Sequence, residues 1–398
     1  MMNFRKKNQS ENPNDFDDSS SVSSGEFTSE KEKNRRPKEN SFTQQKLKAI
    51  NPIFTPRTII PSMLVLAIIF IPLGVAMLYG SSRVEELIIQ YQQCERLASR
   101  DYYTEIPEEY VDFSFRTKTT VRPQWKYSLN ESESDPVEQG ICQVQFEIPN
   151  NIGSPVFFFY KLYNFYPNHR RYVKSFSELQ LNGDAASLSA IKDAVGQNCQ
   201  PLSENDDGIK YYPCGLIANS LYNDTYTYPV AVNGSEGLDY EMTKDGIAWS
   251  SNQARFKKTK YNPNEVVPPP NWVKMYPDGY TEDNMPDIST WYDFQNWMAP
   301  GGLPVFSKLY FRNDTHSMQR GLYEVSVGLH FPVLPYDGKK AIYISTRSVL
   351  GGKNSFLGIS WVVAGGVCLL LASVFLLVNI LVPRKMGDLS KVSWNKEQ

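Results

Sequence analysis

Two long runs without a charged residue most constrain how this chain folds. Ile59–Tyr79 holds 21 such residues, and as a helix it would be about 31 Å long, enough for the hydrocarbon core of a bilayer. A second uncharged run covers Phe356–Val382. A cleaved signal peptide is disfavoured at the first run because a long tail precedes it and its apolar core is too long. Because the mean hydropathy of the chain is negative, we predict two spans attached to a large water-soluble part.

The direction of crossing follows from the Lys and Arg residues. The tail before the first run carries eleven of them, and the tail after the second run carries four. Close to the first run, the numbers of Lys and Arg residues are equal on its two sides. Long loops translocate largely regardless of their charge, so the charges of the tails decide the orientation. We predict both termini in the cytoplasm and residues 80–354 in the lumen or outside the cell.

Glycosylation and cysteine patterns point to the same placement of the large domain. Four Asn-x-Ser/Thr sequons lie between the runs, at Asn130, Asn223, Asn233 and Asn313. Four of the five cysteines lie there too, namely Cys94, Cys142, Cys199 and Cys214. An even set of cysteines fits an oxidising compartment. Four cysteines allow three connectivities, although their spacing favours local pairs.

The cytoplasmic segments differ in composition. Residues 1–33 are polar and include a Ser-rich acidic patch at 17–26, so we predict a disordered tail. Residues 34–58 mix basic and apolar side chains beside the first span. Such a juxtamembrane segment can lie on an anionic leaflet or dock on a partner, and composition does not choose between these. Residues 383–398 form a second cytoplasmic tail.

The sequence between the spans predicts a domain of mainly antiparallel β-structure. Residues 142–148 and 323–331 alternate apolar and polar side chains, 156–162 form a continuous apolar run, and 341–345 continue the pattern. Apolar residues recur at helical spacing only over the short stretches 188–195 and 291–297. Residues 84–91 fit either a helix or a strand. The predicted fold class is a two-span membrane protein with a large β ectodomain, short helical insertions and two transmembrane α-helices.

The two spans, predicted at 59–79 and 355–382, carry candidates for helix packing. Pro72 lies inside the first span, where it removes a backbone hydrogen bond and clashes with the carbonyl of Ile68, so a kink is expected. In the second span Ser360, Ala364, Cys368 and Ala372 recur every four residues. Small residues at this spacing permit close approach of helices in lipid, but they are also common in spans that make no such contact.

No catalytic constellation stands out in the sequence. The metalloprotease, hydrolase-elbow and phosphate-loop motifs are absent, as is the Asp-Lys-Thr-Gly phosphorylation loop of P-type pumps. We expect no cofactor and no metal. His330 is expected to be a solvated residue on the polar face of a strand. The basic cluster of His169, Arg170, Arg171 and Lys174 follows an aromatic run, and its luminal placement argues against nucleic acid and for an ion-pair network or a partner contact.

Several dispersed motifs are similar to one known family. They are NRRPKENSFTQQKL at 34–47, NFYPNHRRYVKSFS at 164–177, YPCGLIANSLYNDTY at 212–226, GIAW at 246–249 and NWM…LPVFSKLY at 296–310. They resemble the cell-division-cycle-fifty / ligand-effect-modulator family, the non-catalytic β-subunits of type-four P-type ATPases. The resemblance runs in order from Asn34 through the second span.

The resemblance implies a function and a set of residue roles. Such subunits bind a lipid-flipping ATPase, carry it out of the endoplasmic reticulum towards the Golgi, endosome or plasma membrane, and support transfer of phospholipid to the cytoplasmic leaflet. It implies disulfides 94–142 and 199–214, and glycosylation above all at Asn223. The expected partners are the ATPase catalytic subunit and membrane lipids, with contact candidates Arg35, Arg36, Pro72, Arg170, Arg171, Ser360, Ala364 and Ala372.

Two other functions are compatible with the same features. A stand-alone two-span receptor or adhesion glycoprotein would be stable and reach its membrane without a pump. An ectodomain glycosidase would need two carboxyl groups about 5–9 Å apart, a separation that sequence does not reveal. Recovery of a larger ATPase with the purified chain distinguishes the subunit from both.

Overall fold

The computed structural model describes residues 40–42, 45–48, 54–130, 139–232, 239–349 and 351–383. The tail predicted at 1–33 lies outside these residues, as does all of the C-terminal tail except Pro383. The chain divides after Thr55 into two units. In the first unit Phe42, Leu47 and Phe54 are exposed, so both interpretations of the juxtamembrane segment stay open.

Two long helices border a domain with short ones. The helices are α1 (Pro56–Ser82), α2 (Cys94–Leu97), α3 (Arg170–Lys174), α4 (Glu178–Leu181), α5 (Leu188–Lys192), α6 (Leu216–Asn219), α7 (Ser250–Gln253), α8 (Tyr292–Trp297) and α9 (Ser355–Leu381). Only α1 and α9, among the described residues, are long and apolar enough to cross a membrane. Each extends a bilayer-length apolar core by a few residues, which agrees with the two predicted spans.

Strands supply most of the regular structure between the long helices. They are β1 (Glu86–Gln90), β2 (Thr104–Glu105), β3 (Val111–Ser114), β4 (Gln124–Leu129), β5 (Gly140–Ile148), β6 (Val156–Tyr163), β7 (Lys210–Tyr211), β8 (Thr225–Tyr226), β9 (Val230–Ala231), β10 (Val266–Val267), β11 (Phe306–Asn313), β12 (Gly321–Gly328) and β13 (Lys339–Ser345).

The strands form two larger antiparallel sheets. The first sheet has the order β11-β6-β13-β1-β3, and the second has the order β2-β4-β5-β12-β8 with β9 also paired to β12. A small parallel pair joins β7 to β10. Buried side chains alternate along β5 and β12, so one face of the second sheet covers the core. The first sheet lies on that core through side chains such as Phe158 and Ile89.

The register of the first sheet fixes which end of the domain lies near the spans. β1 begins four residues after α1, and its Glu86 pairs with Ser345, which ends β13 shortly before α9. Phe157 of β6 pairs with the same Ser345, whereas Tyr163 pairs with Lys339 at the opposite end. We call the first end proximal and the second end distal. A strand of seven residues places the two ends about 20 Å apart.

The structure tests the predicted elements directly. The strands expected at 142–148, 156–162 and 341–345 are confirmed as parts of β5, β6 and β13. The centre of the open segment 84–91 is the strand β1 (Glu86–Gln90), because β13 and β3 pair with it on both sides. The helix expected to reach Val195 is wrong at its end: α5 stops at Lys192 and Val195 is fully exposed.

Two disulfides link elements of the ectodomain. Cys94 of α2 bonds to Cys142 of β5, and Cys199 bonds to Cys214 just before α6. All four sulfur-bearing residues are buried. This is the connectivity that the family resemblance implied. The first bond joins α2 to the second sheet, and the second lies in a small buried cluster with Ala186 and Ile191.

Candidate partner-binding surfaces

The two long helices pack closely against each other. Gly74 of α1 lies against the backbone of Gly358 in α9, and Gly365 lies against Phe70 and Ile71. The helices are therefore antiparallel, because advancing seven residues along α9 moves backwards along α1. A Cβ added at Gly74 would come within 2.8 Å of the Gly358 carbonyl oxygen. Such close approach of backbones is what small residues make possible in lipid.

The contact stripe has a spacing of seven, not four. The buried residues are Ile60, Ala67, Gly74 and Ser81 on α1, and Gly358, Gly365 and Ala372 on α9. Gly358, Gly365 and Ala372 could have been found by a search for small residues at seven-residue spacing, the repeat of packed antiparallel helices.

The predicted packing residues of the second span lie in different environments in the structure. Ala372 is buried in the contact with α1, so it offers no surface to another protein. Ala364 is exposed, and Ser360 is half-buried with its hydroxyl donating to the carbonyl of Phe356. Ala364 and Ser360 therefore stay candidates for a contact outside the chain.

Pro72 lies on the exposed side of α1. The helix runs through it from Pro56 to Ser82, although proline cannot donate to the carbonyl four residues earlier. The opposite side of the same helix carries Gly74, which packs on α9. A helix pair thus uses one stripe for itself and leaves Pro72 and Ala364 outside it, where another helix or lipid can reach them.

The NFYPNHRRY block forms a short capped helix at the distal end of β6. His169 caps α3, because its Nδ1 accepts from the backbone N–H of Arg171. Tyr172 turns inward, contacts the ring of Phe165 edge-on and shares a hydrogen bond with the Ser220 hydroxyl. The aromatic residues of the motif therefore anchor α3, and its basic residues point away from the core.

Arg170, Arg171 and Lys174 are all exposed on α3. Within the described part of the chain none of the three forms an ion pair, and Tyr166 beside them is 58% exposed. Of the two roles predicted from the sequence for this basic cluster, the internal ion-pair network is therefore not formed among the described residues. The arrangement presents three cations and an aromatic ring on the distal surface.

A buried polar network lies between the two sheets, and sequence reasoning missed it. Asp224 and Lys340 form an ion pair of 2.6 Å between Oδ2 and Nζ, with 0% and 6% of their side chains exposed. The other carboxylate oxygen accepts from the backbone N–H groups of His330 and Phe331. Asp224 is the central residue of the YNDTY motif, which is a signal that could have marked it.

Three tyrosine hydroxyls complete this network. Those of Tyr91 and Tyr222 donate to Asp224 Oδ2, and both contact the hydroxyl of Tyr226. Burial raises the pKa of each of these tyrosines well above its usual value, so they stay neutral donors. Burial lowers the pKa of Lys340, while the nearby carboxylate opposes that shift.

The network joins parts of the chain that are distant in sequence. Lys340 belongs to β13 of the first sheet, whereas Tyr226 belongs to β8 of the second. Lys340 also donates to the carbonyl of Phe331. The expectation for His330 was wrong: β12 ends at Gly328, and the His330 Nδ1 is buried with no hydrogen-bond partner in the described structure.

The sequons occupy different environments. Asn313 ends β11, and its Nδ2 donates to the carbonyl of Glu241 while its Oδ1 accepts from the N–H groups of Thr315 and His316. Asn223 is half-buried, and its neighbour Thr225 is exposed. Asn130 is half-buried at the end of β4, and Asn233 lies outside the described residues. Glycosylation at these positions stays a prediction.

The chain matches a known family over most of its length. The LEM3 (ligand-effect modulator 3) family / CDC50 family covers residues 77–385. The chain belongs to this family. It is 43% identical to the phospholipid-transporting ATPase accessory subunit LEM3 of Saccharomyces cerevisiae, over 98% of this chain and 97% of the relative. It is 39% identical to the accessory subunit CDC50 of Chaetomium thermophilum, over 94% of each chain, and 34% identical to cell cycle control protein 50A of Bos taurus, over 87% of this chain and 90% of the relative.

The CDC50/LEM3 match covers the structural features described above. Both disulfides, the Asp224–Lys340 network, α3 and α9 lie within residues 77–385. The candidates Arg35 and Arg36 lie outside both that range and the described residues. Most of α1, including Pro72, precedes the matched range, and the part played by Pro72 in a partner contact stays a prediction.

Proposed function

We propose that this chain is the accessory β-subunit of a phospholipid-transporting type-four P-type ATPase. The supporting observation is similarity along nearly the whole chain to proteins named as accessory subunits of such ATPases. The subunit is not itself the pump. It binds the catalytic subunit as a heterodimer and supports phospholipid transfer to the cytoplasmic leaflet.

The structure suggests how the subunit contacts its pump. The helix pair is joined through its glycine stripe, so its outer side, with Pro72, Ser360 and Ala364, is available to the pump's membrane helices. The ectodomain lies over the pump's luminal loops, and α3 offers Arg170 and Arg171 to acidic groups there. Arg35 and Arg36 contact the cytoplasmic side of the pump.

The topology belongs to the same proposal. Residues 1–33, 34–58 and 383–398 are cytoplasmic, and residues 80–354 are luminal or extracellular. The excess of Lys and Arg in the tails and the two disulfides between the spans support this arrangement. The subunit accompanies the ATPase from the endoplasmic reticulum to the Golgi, endosomes or plasma membrane, and its luminal sequons carry glycans.

Purification of the full chain in mild detergent tests the proposal. A P-type ATPase several times larger than this chain should co-purify, and loss of the chain should retain that ATPase in the endoplasmic reticulum. Recovery of the chain alone, with the pump still reaching its membrane in its absence, would contradict the proposal. That outcome is the one expected of a stand-alone receptor.

Two sets of variants test the contact surfaces. Replacing Arg170 and Arg171 by Gln should reduce ATPase recovery, whereas replacing the exposed Lys257 and Lys258 by Gln, which removes the same charge elsewhere, should not. In the membrane, Ala364→Leu should reduce recovery and its neighbour Val363→Leu should not. Equal recovery from each variant and its control would remove that surface from the proposed interface.

A further inference from the structure

A short loop before α9 is fastened at both ends to the start of the ectodomain. At one end, the Thr346 backbone N–H donates to the carbonyl of Glu85, and the Glu85 N–H donates to the Thr346 hydroxyl. At the other end, the Asn354 N–H donates to the Ser81 hydroxyl at 2.9 Å. We call the described residues 346–349 and 351–354 the proximal loop.

The position of the proximal loop places it at the membrane surface. Ser81 is in the last turn of α1, and α9 begins with Ser355 and the exposed, apolar Phe356. The uncharged core of α1 ends at Tyr79, so the Ser81 anchor lies within about one helical turn, ~5 Å, of the hydrocarbon boundary, and the Glu85 anchor lies six residues past Tyr79. The headgroup layer is roughly 5–8 Å thick on each side of that core. The Asn354 end of the loop therefore lies inside the headgroup layer.

The tip of the proximal loop is apolar. Ser348 and Gly351 pair across a tight turn, and Val349 between them is 106% exposed. A fully exposed valine gains nothing in water, but it gains by entering the boundary between headgroups and acyl chains. The turn has no packing partner for Val349 within the described structure.

Arg347, two residues before Val349, and Arg83, between the anchoring residues Ser81 and Glu85, have no carboxylate partner in the described residues. The guanidinium of Arg347 lies 5.1 Å from the centroid of the Phe157 ring, at the proximal end of β6. The guanidinium of Arg83 lies 5.6 Å from the centroid of the Tyr79 ring, just past α1. Both arginines are exposed. Aromatic rings hold these cations in place and leave their N–H groups for phosphate oxygens.

We propose that the proximal loop is a membrane-contact element, in which Val349 enters the bilayer interface while Arg347 and Arg83 bind phospholipid phosphates. The chemistry of the loop fits a phospholipid surface because it combines an apolar tip with flanking cations beside two spans. The contact would fix the tilt of the ectodomain over the membrane. This inference requires only that α1 and α9 cross the bilayer, and does not depend on the ATPase.

Fluorescence quenching in nanodiscs tests the contact with the chain alone. Cys368→Ala removes the one cysteine outside the disulfides, and Val349→Cys then carries an environment-sensitive fluorophore. The matched control is Val195→Cys, an equally exposed valine whose segment is hydrogen-bonded to α3 through Asn198 and Lys174. With lipids spin-labelled near the headgroup, the probe at 349 should lose most of its emission and the probe at 195 should keep it.

A second arm separates lipid phosphate from free phosphate. In nanodiscs of phosphatidylcholine and phosphatidylserine, Arg347→Gln combined with Arg83→Gln should lower the ratio of inserted to free loop about fivefold or more. The pair Lys257→Gln and Lys258→Gln should leave it unchanged. Added inorganic phosphate should not displace the probe at 349. Equal quenching at 349 and 195, or full displacement by inorganic phosphate, would overturn the proposal.

Discussion

Removal of Lys340 should destabilise the ectodomain by leaving Asp224 charged and buried. In Lys340→Met the side chain keeps its length but loses its charge, while the carboxylate of Asp224 stays fully covered. Breaking one partner of a buried pair costs about 3–5 kcal/mol. Two backbone N–H groups and two tyrosine hydroxyls still donate to Asp224, so we expect the lower value, about 3 kcal/mol.

This free-energy change converts to a measurable shift in melting temperature. A domain of this size loses roughly 2–4 °C for each kcal/mol, so Lys340→Met should lower Tm by about 6–12 °C. The assay is thermal unfolding of the full chain in detergent, followed by tryptophan fluorescence. Trp297 reports on the site because its ring lies 6.3 Å from that of Tyr222. Lys257→Met, at an exposed position, is the matched control and should leave Tm almost unchanged.

A double-mutant cycle refutes or supports the reasoning. If the loss in Lys340→Met comes from an uncompensated charge, adding Asp224→Asn removes that charge. The double variant should therefore be more stable than the sum of the two single changes predicts, by about 2 kcal/mol. Additive single changes, or a Tm shift in Lys340→Met no larger than that of Lys257→Met, would show that the ion pair is not coupled as the structure indicates.

Three further predictions concern other parts of the chain. Burial lowers the pKa of Lys308 to about 8, so the unfolded chain binds more protons than the folded chain between pH 8 and 10.5. The free energy of unfolding, relative to that of Lys308→Met, should therefore rise across that window by about 3 kcal/mol. Parallel pH profiles of the melting temperature for the two proteins would contradict this. Gly365→Leu should separate α1 from α9, because a Cβ there already meets Ile71 at 2.7 Å. The control is Gly366→Leu, whose side chain enters open space. Size-exclusion chromatography after heating in detergent should show aggregation of the first variant alone. Replacing Cys199 and Cys214 by Ala opens a loop of 15 residues and should cost about 3 kcal/mol, measured by the same thermal unfolding; an unchanged Tm would mean that the surrounding packing holds this loop.

Fold class and family were readable in the sequence because their signals are local. An uncharged run of bilayer length has few alternatives to a spanning helix, and the period-two alternation of 142–148 has few alternatives to a half-buried strand. Short segments were less certain. Residues 84–91 fitted two periods, and the neighbouring strands β13 and β3, distant in sequence, decided the outcome.

The contacts that organise the candidate surfaces depended on the tertiary structure. Four-residue and seven-residue stripes both exist in the second span, and only the position of α1 selects Gly358 and Gly365 for the helix contact while leaving Ala364 outside. Asp224 and Lys340 lie more than a hundred residues apart, in strands or loops of different sheets, and no local pattern pairs them. The sequence by itself determined what each segment forms; the packing of the two sheets and of the two helices decided which charges are buried and which small residues meet, because those are properties of three-dimensional neighbours.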